Sequence, residues 1–179
     1  MSTPQIPVGT WNIDPSHSEA GFSVRHLMVS KVRGRISAFS GAITIAEDPT
    51  ASSVEVTLDP ATIDTRDDKR DEHLRSADFF EIAAHPTWTF RSTGVRADGD
   101  DWIVTGDLTI RGVTRSVELE VEFNGTSGDP WGGTRAGFSA ETEISRKDFG
   151  LEYNAVLETG GVVIGDTVKI ELEIEAVKQ

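Results

Sequence analysis

The sequence predicts an all-β protein, an antiparallel barrel of about eight strands with one short helix. Apolar and polar residues alternate with period two along most of the chain, as in residues 54–59 and 168–176, which is typical of a sheet with one buried face. One long insert, residues 62–90, departs from this period. Since no helical layer is available to cover the apolar face, closing the sheet into a barrel would bury it and remove exposed sheet edges.

Composition narrows the class of protein. A length of 179 residues predicts one domain, residues 1–179. The net charge of −13 and the lack of a basic stripe argue against nucleic-acid binding and disfavour anionic membrane surfaces. The absence of cysteine excludes disulfides and thiol chemistry. No apolar run is long enough to cross a bilayer, and the start, MSTPQIPVGTW, lacks signal-peptide features, so a cytoplasmic location is expected.

The sequence pattern of residues 11–58 predicts short strands. Residues 11–13 form one, a turn follows, and the next strand has Phe22 and Val24 on one face. A turn or a single helical turn is expected at residues 28–33. A strand over residues 35–46 follows, with a bend at Gly41, because glycine weakens a strand interior. Val56 and Leu58 share one face of the strand before the insert.

The second part of the chain alternates more clearly. Apolar positions of one face include Trp88, Phe90, Leu108, Phe123, Phe138 and Ile144. Residues 98–101 and the pair Arg111-Gly112 predict hairpin turns. Residues 124–133, rich in Gly, Ser and Pro, predict a surface loop, and residues 168–176 form the last strand.

The insert predicts the one helix. Thr65 is expected to cap a helix over residues 66–77, with its hydroxyl accepting from N–H groups of the first turn. Helical spacing puts Arg66, Arg70 and His73 on one face, where the two arginines repel each other. These charges either contact loops of the same protein or face an anionic group of a ligand, and both interpretations stay open.

The barrel interior has two interpretations as well. Small residues at positions expected to point inward, Ala38, Ala136 and Ala140, favour a ligand cavity. The same residues would also interdigitate with Trp88 and Phe138 in a filled core. Patterning alone leaves both open.

Five segments, in this order, resemble a known family. They are WNIDPSHSEAGFSVRHLMVSKVRGRISAFSGAI at 11–43, TIDTRDDKRDEHLRSADFFEIAAHPTWTFRST at 62–93, GDLTIRGVTRSVELEVEF at 106–123, RKDFGL at 146–151 and GDTVKIELEIEAVK at 165–178. Together they resemble the YceI-like proteins, whose fold is an extended, lipocalin-like, eight-stranded antiparallel barrel. Many members carry a secretion signal, and this sequence departs from them there.

The resemblance implies binding of a long apolar molecule inside the barrel: a polyisoprenoid or its phosphate, an isoprenoid quinone or a fatty-acid derivative. The candidate lining residues are Phe22, Val24, Val56, Leu58, Trp88, Phe90, Leu108, Phe123, Phe138 and Ile144. The candidate head-group residues are Arg66, Arg70, His73 and Arg146, as donors to a phosphate. A homodimer is also consistent with the resemblance.

An enzyme is not expected. The four histidines, His17, His26, His73 and His85, lack the spacing of metal ligands, and no nucleophile, P-loop or dinucleotide motif is present. We therefore predict no catalytic residue, no metal and no cofactor, with His17 bonded to turn backbone. Two alternatives to lipid carriage remain. One is a filled barrel that acts as an interaction module, with Trp102 or Trp131 in an exposed patch. The other is sequestration of lipophilic antibiotics.

Overall fold

In a computed structural model of the protein, residues 6–27, 29–154 and 164–179 are described. Their strands are β1 Gly9–Ile13, β2 Glu19–His26, β3 Ser30–Ile36, β4 Phe39–Ile45, β5 Ser53–Leu58, β6 Ile63–Asp64, β7 Trp88–Asp98, β8 Asp101–Ile110, β9 Val113–Gly128, β10 Thr134–Ser145 and β11 Ile164–Lys178. The helix α1 spans Asp68–Arg75, and single 3-10 turns lie at Pro15–His17, Pro49–Ala51, Pro60–Thr62 and Arg146–Phe149.

The sheet closes on itself. Its hydrogen-bonded order is β1-β4-β5-β7-β8-β9-β10-β11, and β11 pairs back with β1, with Ile13 opposite Ala176. Strands β2, β3 and β6 continue the walls begun by β1, β4 and β5, since β2 pairs with β11 and β3, and β3 pairs with β6. When each of the pairs β1 and β2, β3 and β4, and β5 and β6 is counted as one strand of the wall, the barrel has eight antiparallel strands. This confirms the predicted fold class.

The antiparallel order sends alternate connections to opposite ends of the barrel. One end holds the β2–β3 hairpin, residues 65–87 with α1, the β8–β9 turn and residues 146–154; we call it the helix end. Arg111 ties its parts together, since its guanidinium donates to the carbonyl oxygens of Gly150 at 2.9 Å and Ala77 at 3.0 Å. The opposite end holds residues 46–52, the β7–β8 turn and residues 129–133.

Two predicted turns are confirmed and three predicted features are wrong. The hairpins at residues 98–101 and at Arg111-Gly112 are present, the latter with φ of 53° and 72°, as a two-residue turn of type I′ requires. The wall formed by β3 and β4 breaks at residues 37–38 and not at Gly41. Of the turn predicted at residues 28–33, Val29 is in a turn, Met28 lies outside the described residues, and residues 30–33 are strand. Strand β9 continues to Gly128, so the loop is confined to residues 129–133.

Gly41 has a different role from the one predicted. A Cβ at this position would lie 2.4 Å from the carbonyl oxygen of Glu55 on the neighbouring strand. Because no side chain can share that space, the glycine permits close approach of β4 and β5 and does not bend the strand.

The helix is shorter than predicted and differently capped. Asp67, not Thr65, is the N-cap, and its carboxylate accepts from the N–H groups of Lys69 and Arg70. Arg66 has φ of 65° and precedes the helix, so it does not share a helical face with Arg70 and His73. Thr65 is buried, and its N–H donates to the Asp71 carboxylate at 2.9 Å.

Candidate ligand-binding cavity

The barrel encloses a cavity of about 570 Å³, within the size range of small-molecule sites. The strands of the wall supply its lining, because the residues that alternate inward from each strand meet there. The interior is therefore not filled by side chains, and the filled-core interpretation is wrong. Nine of the ten predicted lining residues contact the cavity: Phe22, Val24, Val56, Leu58, Trp88, Phe90, Leu108, Phe138 and Ile144.

Two inward predictions are wrong. Phe123 does not line the cavity; it packs with Trp11 in a cluster beyond it, and its ring centroid lies 5.5 Å from that of Phe138. Ala38 is exposed, because the wall breaks between β3 and β4 at this position. Ala140 does contact the cavity, and Ala136 is buried in the Trp11 cluster.

Polar side chains gather at the helix end of the cavity. Arg25, His26, Arg70, His73 and Arg146 contact it there, while most of the remaining lining is aliphatic or aromatic. Sequence reasoning missed Arg25 and His26. His26 follows the inward residues Phe22 and Val24 with period two, and this alternation was the signal that could have found it. Arg25 lies at an alternate position, so the pattern gave no signal for it.

Arg70 is the predicted head-group residue best placed for a ligand. Its Nε donates to Thr65 Oγ1 at 2.8 Å, and Nη2 donates to the Thr65 carbonyl oxygen. Among the described residues no carboxylate forms an ion pair with it, and Nη1 has no hydrogen-bond partner. Arg70 thus offers a fixed cationic donor at the cavity. Arg66, in contrast, is exposed and does not contact the cavity.

His73 contacts the cavity from α1. Its Nε2 lies 2.8 Å from an oxygen of Asp78, and its ring meets those of Phe79 and Tyr153 edge-on, with centroids 5.0 and 4.9 Å away. The aromatic contacts and the carboxylate fix the orientation of the ring.

Arg146 contacts the cavity, but its N–H groups donate to backbone carbonyl oxygens. Only 4% exposed, it donates to the carbonyl oxygens of Leu151, Tyr153, Ile164 and Gly165. Burial lowers the pKa of this guanidinium below its ordinary value. Arg146 therefore joins the two chain segments at the helix end, and the structure does not present it as a head-group donor.

A second polar cluster lies outside the cavity. His17 Nδ1 is 2.8 Å from an oxygen of Asp14, so it bonds a side chain and not turn backbone as predicted. Together with Glu175, these two residues form a group of potential metal ligands among the described residues. Arg135 already binds both carboxylates at 2.8 Å and a third, Asp129, at 3.2 Å. The cluster is thus a charge network around an arginine.

The two tryptophans that were considered for an exposed interaction surface differ in burial. Trp102 is buried and lines the cavity, whereas Trp131 is 79% exposed in the loop at the opposite end. Among the described residues, no helix has both the length and the apolar character needed to cross a membrane.

The comparisons with known proteins agree with this geometry. A family profile described as the YceI-like domain matches residues 11–176. The protein YceI of Escherichia coli O17:K52:H18 is 47% identical over 137 residues, which cover 76% of this chain and 72% of that protein.

Solved structures have the same fold. Burkholderia cenocepacia BcnA superposes with a TM-score of 0.79 at 22% identity and covers 91% of this chain and 98% of its own. A polyisoprenoid binding domain from Saccharophagus degradans, implicated in plant cell wall breakdown, has a TM-score of 0.70 at 18% identity, with 97% of this chain and 100% of that chain covered. On its sequence match and its lipocalin-like barrel, the chain belongs to the YceI-like domain family.

Proposed function

We propose that the protein binds one long apolar molecule inside the barrel, with the polar group of that molecule at the helix end. The observation that supports this proposal is the cavity of about 570 Å³, lined almost throughout by aliphatic and aromatic side chains. Enclosing an apolar chain is favourable by about 25 cal/mol per Å² removed from water, so such a lining suffices for affinity without many hydrogen bonds.

A polyisoprenoid is the first ligand class to test. The solved domain from Saccharophagus degradans with this fold is described as polyisoprenoid binding. An unbranched acyl chain would gain similar apolar burial, because one methylene changes binding by only about 0.8 kcal/mol. The head group then determines which ligand is preferred, and Arg70 favours an anionic head group.

Binding, and not catalysis, is the proposed activity. Two of the polar residues of the cavity are engaged with neighbours that fix them: His73 with Asp78, and Arg146 with four carbonyl oxygens. A carrier or storage role, a cytoplasmic location and a homodimer belong to the same proposal.

The test is a substitution that occupies the cavity. In Ala140→Phe a ring enters the space beside Phe138, so affinity for farnesol and longer isoprenoid alcohols is expected to fall at least about 10-fold, since several methylene contacts are lost. Affinity is measured by competition with a fluorescent fatty acid. Thr57→Phe is the control, because Thr57 is exposed on the outer face of β5 and does not contact the cavity.

The variant must also keep its fold. Space for the ring exists in a cavity, so Ala140→Phe should unfold at a urea concentration close to that of the unsubstituted protein. Unchanged binding, together with a destabilisation of about 1–3 kcal/mol, would mean that position 140 is overpacked and would refute the proposal.

A further inference from the structure

The β2–β3 hairpin differs in charge from the rest of the molecule. From residue 20 to residue 46 the sequence contains no Asp or Glu, although the whole chain has 30. The same stretch carries Arg25, Lys31, Arg33 and Arg35. A locally basic hairpin therefore projects from a protein whose net charge is −13.

The register of the hairpin puts these cations on the face opposite to that of Val24 and Val32, although Arg25, next to the tip, also contacts the cavity. Arg25 lies opposite Lys31, while the alternate pair, Val24 and Val32, contacts the cavity. All four basic side chains belong to exposed residues. Arg35 lies 3.7 Å from Asp64, but no carboxylate among the described residues forms an ion pair with Arg25, Lys31 or Arg33. Three cations are thus available to an external anion.

Two described residues at the tip of the hairpin, Leu27 and Val29, are apolar and exposed. Val29 is 81% exposed and Leu27 is 39% exposed, and Tyr153, 41% exposed, belongs to the same end of the barrel. Unburied aliphatic side chains between unpaired cations suit the boundary of a lipid bilayer, where apolar groups enter the acyl region and cations contact phosphates.

We propose that the β2–β3 hairpin docks on an anionic lipid membrane surface. Leu27 and Val29 enter the interface, and Arg25, Lys31 and Arg33 contact lipid phosphates. The charge of the rest of the chain opposes close approach of any other face to such a surface, so docking is confined to this tip. The helix end of the cavity then faces the bilayer.

Charge and size favour a membrane over a second protein chain. A stable dimer buries about 1,200–2,000 Å² in total, far more than two aliphatic side chains at a hairpin tip offer. A bilayer needs only shallow insertion combined with cationic contacts. The acidic residues Asp68 and Glu72 on the outer side of α1 are exposed at the same end, so an anionic surface would admit the hairpin and repel the helix.

Vesicle flotation tests this proposal with the ligand-free protein, so its outcome does not depend on the proposed cavity ligand. We expect the protein to float with vesicles of phosphatidylcholine and phosphatidylglycerol but not with phosphatidylcholine alone. High salt should release it, because salt screens exposed charges. Lys31→Glu with Arg33→Glu should weaken binding at least about 25-fold, since each basic residue near an anionic surface is worth about fivefold.

Matched controls separate the hairpin from general effects. Arg91→Glu with Arg96→Glu changes the net charge equally, on β7, and should bind no more than about threefold more weakly. Val29→Asp should weaken flotation, whereas Trp131→Asp, which replaces an equally exposed apolar residue at the opposite end, should not. Circular dichroism verifies that each variant is folded.

Three results would overturn the proposal. One is no flotation with anionic vesicles. Another is flotation that the hairpin and control variants reduce alike. The third is a change of molar mass in light scattering for the hairpin variants without a change in flotation, which would assign the tip to contact with a second copy of the chain.

Discussion

Arg70 and Arg66 lie four residues apart and differ in their surroundings, which makes them a matched pair. Arg70 contacts the cavity with Nη1 unpartnered among the described residues, and Arg66 is exposed outside it. We expect Arg70→Ala to weaken binding of farnesyl phosphate about 10- to 100-fold, since hydrogen bonds to charged groups are worth about 1.5–3 kcal/mol. Farnesol should bind as before, and Arg66→Ala should change neither affinity.

Isothermal titration calorimetry of both ligands with both variants measures this effect. Equal losses for phosphate and alcohol would show that Arg70→Ala disturbs the cavity through Thr65, whose hydroxyl and carbonyl it binds. Such a result would remove the head-group role of Arg70.

The ion pair of Arg135 with Asp14 predicts that the stability of the fold depends on pH. The hydrogen bond from Arg135 is the main reason why the pKa of Asp14 lies well below the ordinary value. A carboxylate with a lowered pKa stabilises the fold above its unfolded pKa, about 3.9, and loses that contribution as pH falls through the folded value. Arg135→Met should therefore lower the melting temperature at pH 7, and the deficit should shrink below about pH 4.

Melting curves at pH 7 and pH 3 check this expectation. Arg91→Met is the control, because the ion pair of Arg91 with Glu55 joins side chains that are 75% and 65% exposed, and exposed pairs contribute little. A deficit for Arg135→Met that is equal at both pH values would show that lost packing, and not charge, is responsible.

Individual residues show which side-chain roles could be predicted from the sequence and which could not. Nine lining positions followed from alternation, since inward and outward residues of a barrel strand must alternate. The role of Arg146 could not be predicted in this way, because its guanidinium donates to four carbonyl oxygens that belong to two separate segments of the chain. Contacts between distant segments leave no local pattern.

At the scale of the strands, glycines under aromatic rings shape the cavity. A Cβ on Gly106 of β8 would lie 2.4 Å from Phe90 Cζ and 2.8 Å from the Arg91 carbonyl oxygen, and a Cβ on Gly34 of β3 would lie 2.4 Å from Phe22 Cζ. Each ring therefore lies over a glycine of the neighbouring strand, an arrangement that protects the exposed backbone at such a position.

Gly106→Ala should destabilise the protein by about 1–3 kcal/mol, because the methyl group forces the Phe90 ring from its position. Urea denaturation measures the change. Gly94→Ala on β7 is the control: apart from its chain neighbours, no residue has an atom within 4 Å of the added Cβ, so the alanine should be neutral or stabilising by up to about 1 kcal/mol. Similar losses for both variants would contradict the packing argument.

The elements themselves were predicted unevenly. Strands with clear alternation and two-residue turns were found, because both signals are local. The helix boundary was missed, since Asp67 and Thr65 are both good caps and the choice depends on the contact of Thr65 with Asp71. The break at residues 37–38 was missed for the same reason: Ala38 donates its N–H to Thr62 Oγ1, 24 positions away.

For the whole molecule, ligand binding should appear as added stability. A ligand that binds only the folded state stabilises it by about 2.7 kcal/mol at 100 times its dissociation constant, which for a chain of this size raises the melting temperature by about 5–10 °C. Farnesol at saturation should give such a rise in differential scanning fluorimetry. Isopentenol, with too little apolar surface, should not, and an equal rise in Ala140→Phe would place the ligand outside the cavity.

The closure between β1 and β11 has a consequence for synthesis. Gln179 and Asn12, 167 positions apart, are hydrogen-bonded across it, and β11 also pairs with β2 and β10. Pairing so distant in sequence makes folding slow. Because a ribosome delivers the chain from its N-terminus, the apolar lining stays open to water until β11 emerges. A nascent chain stalled before β11 would leave one edge of each of β1, β2 and β10 without its partner strand, and it is the form that most needs a chaperone.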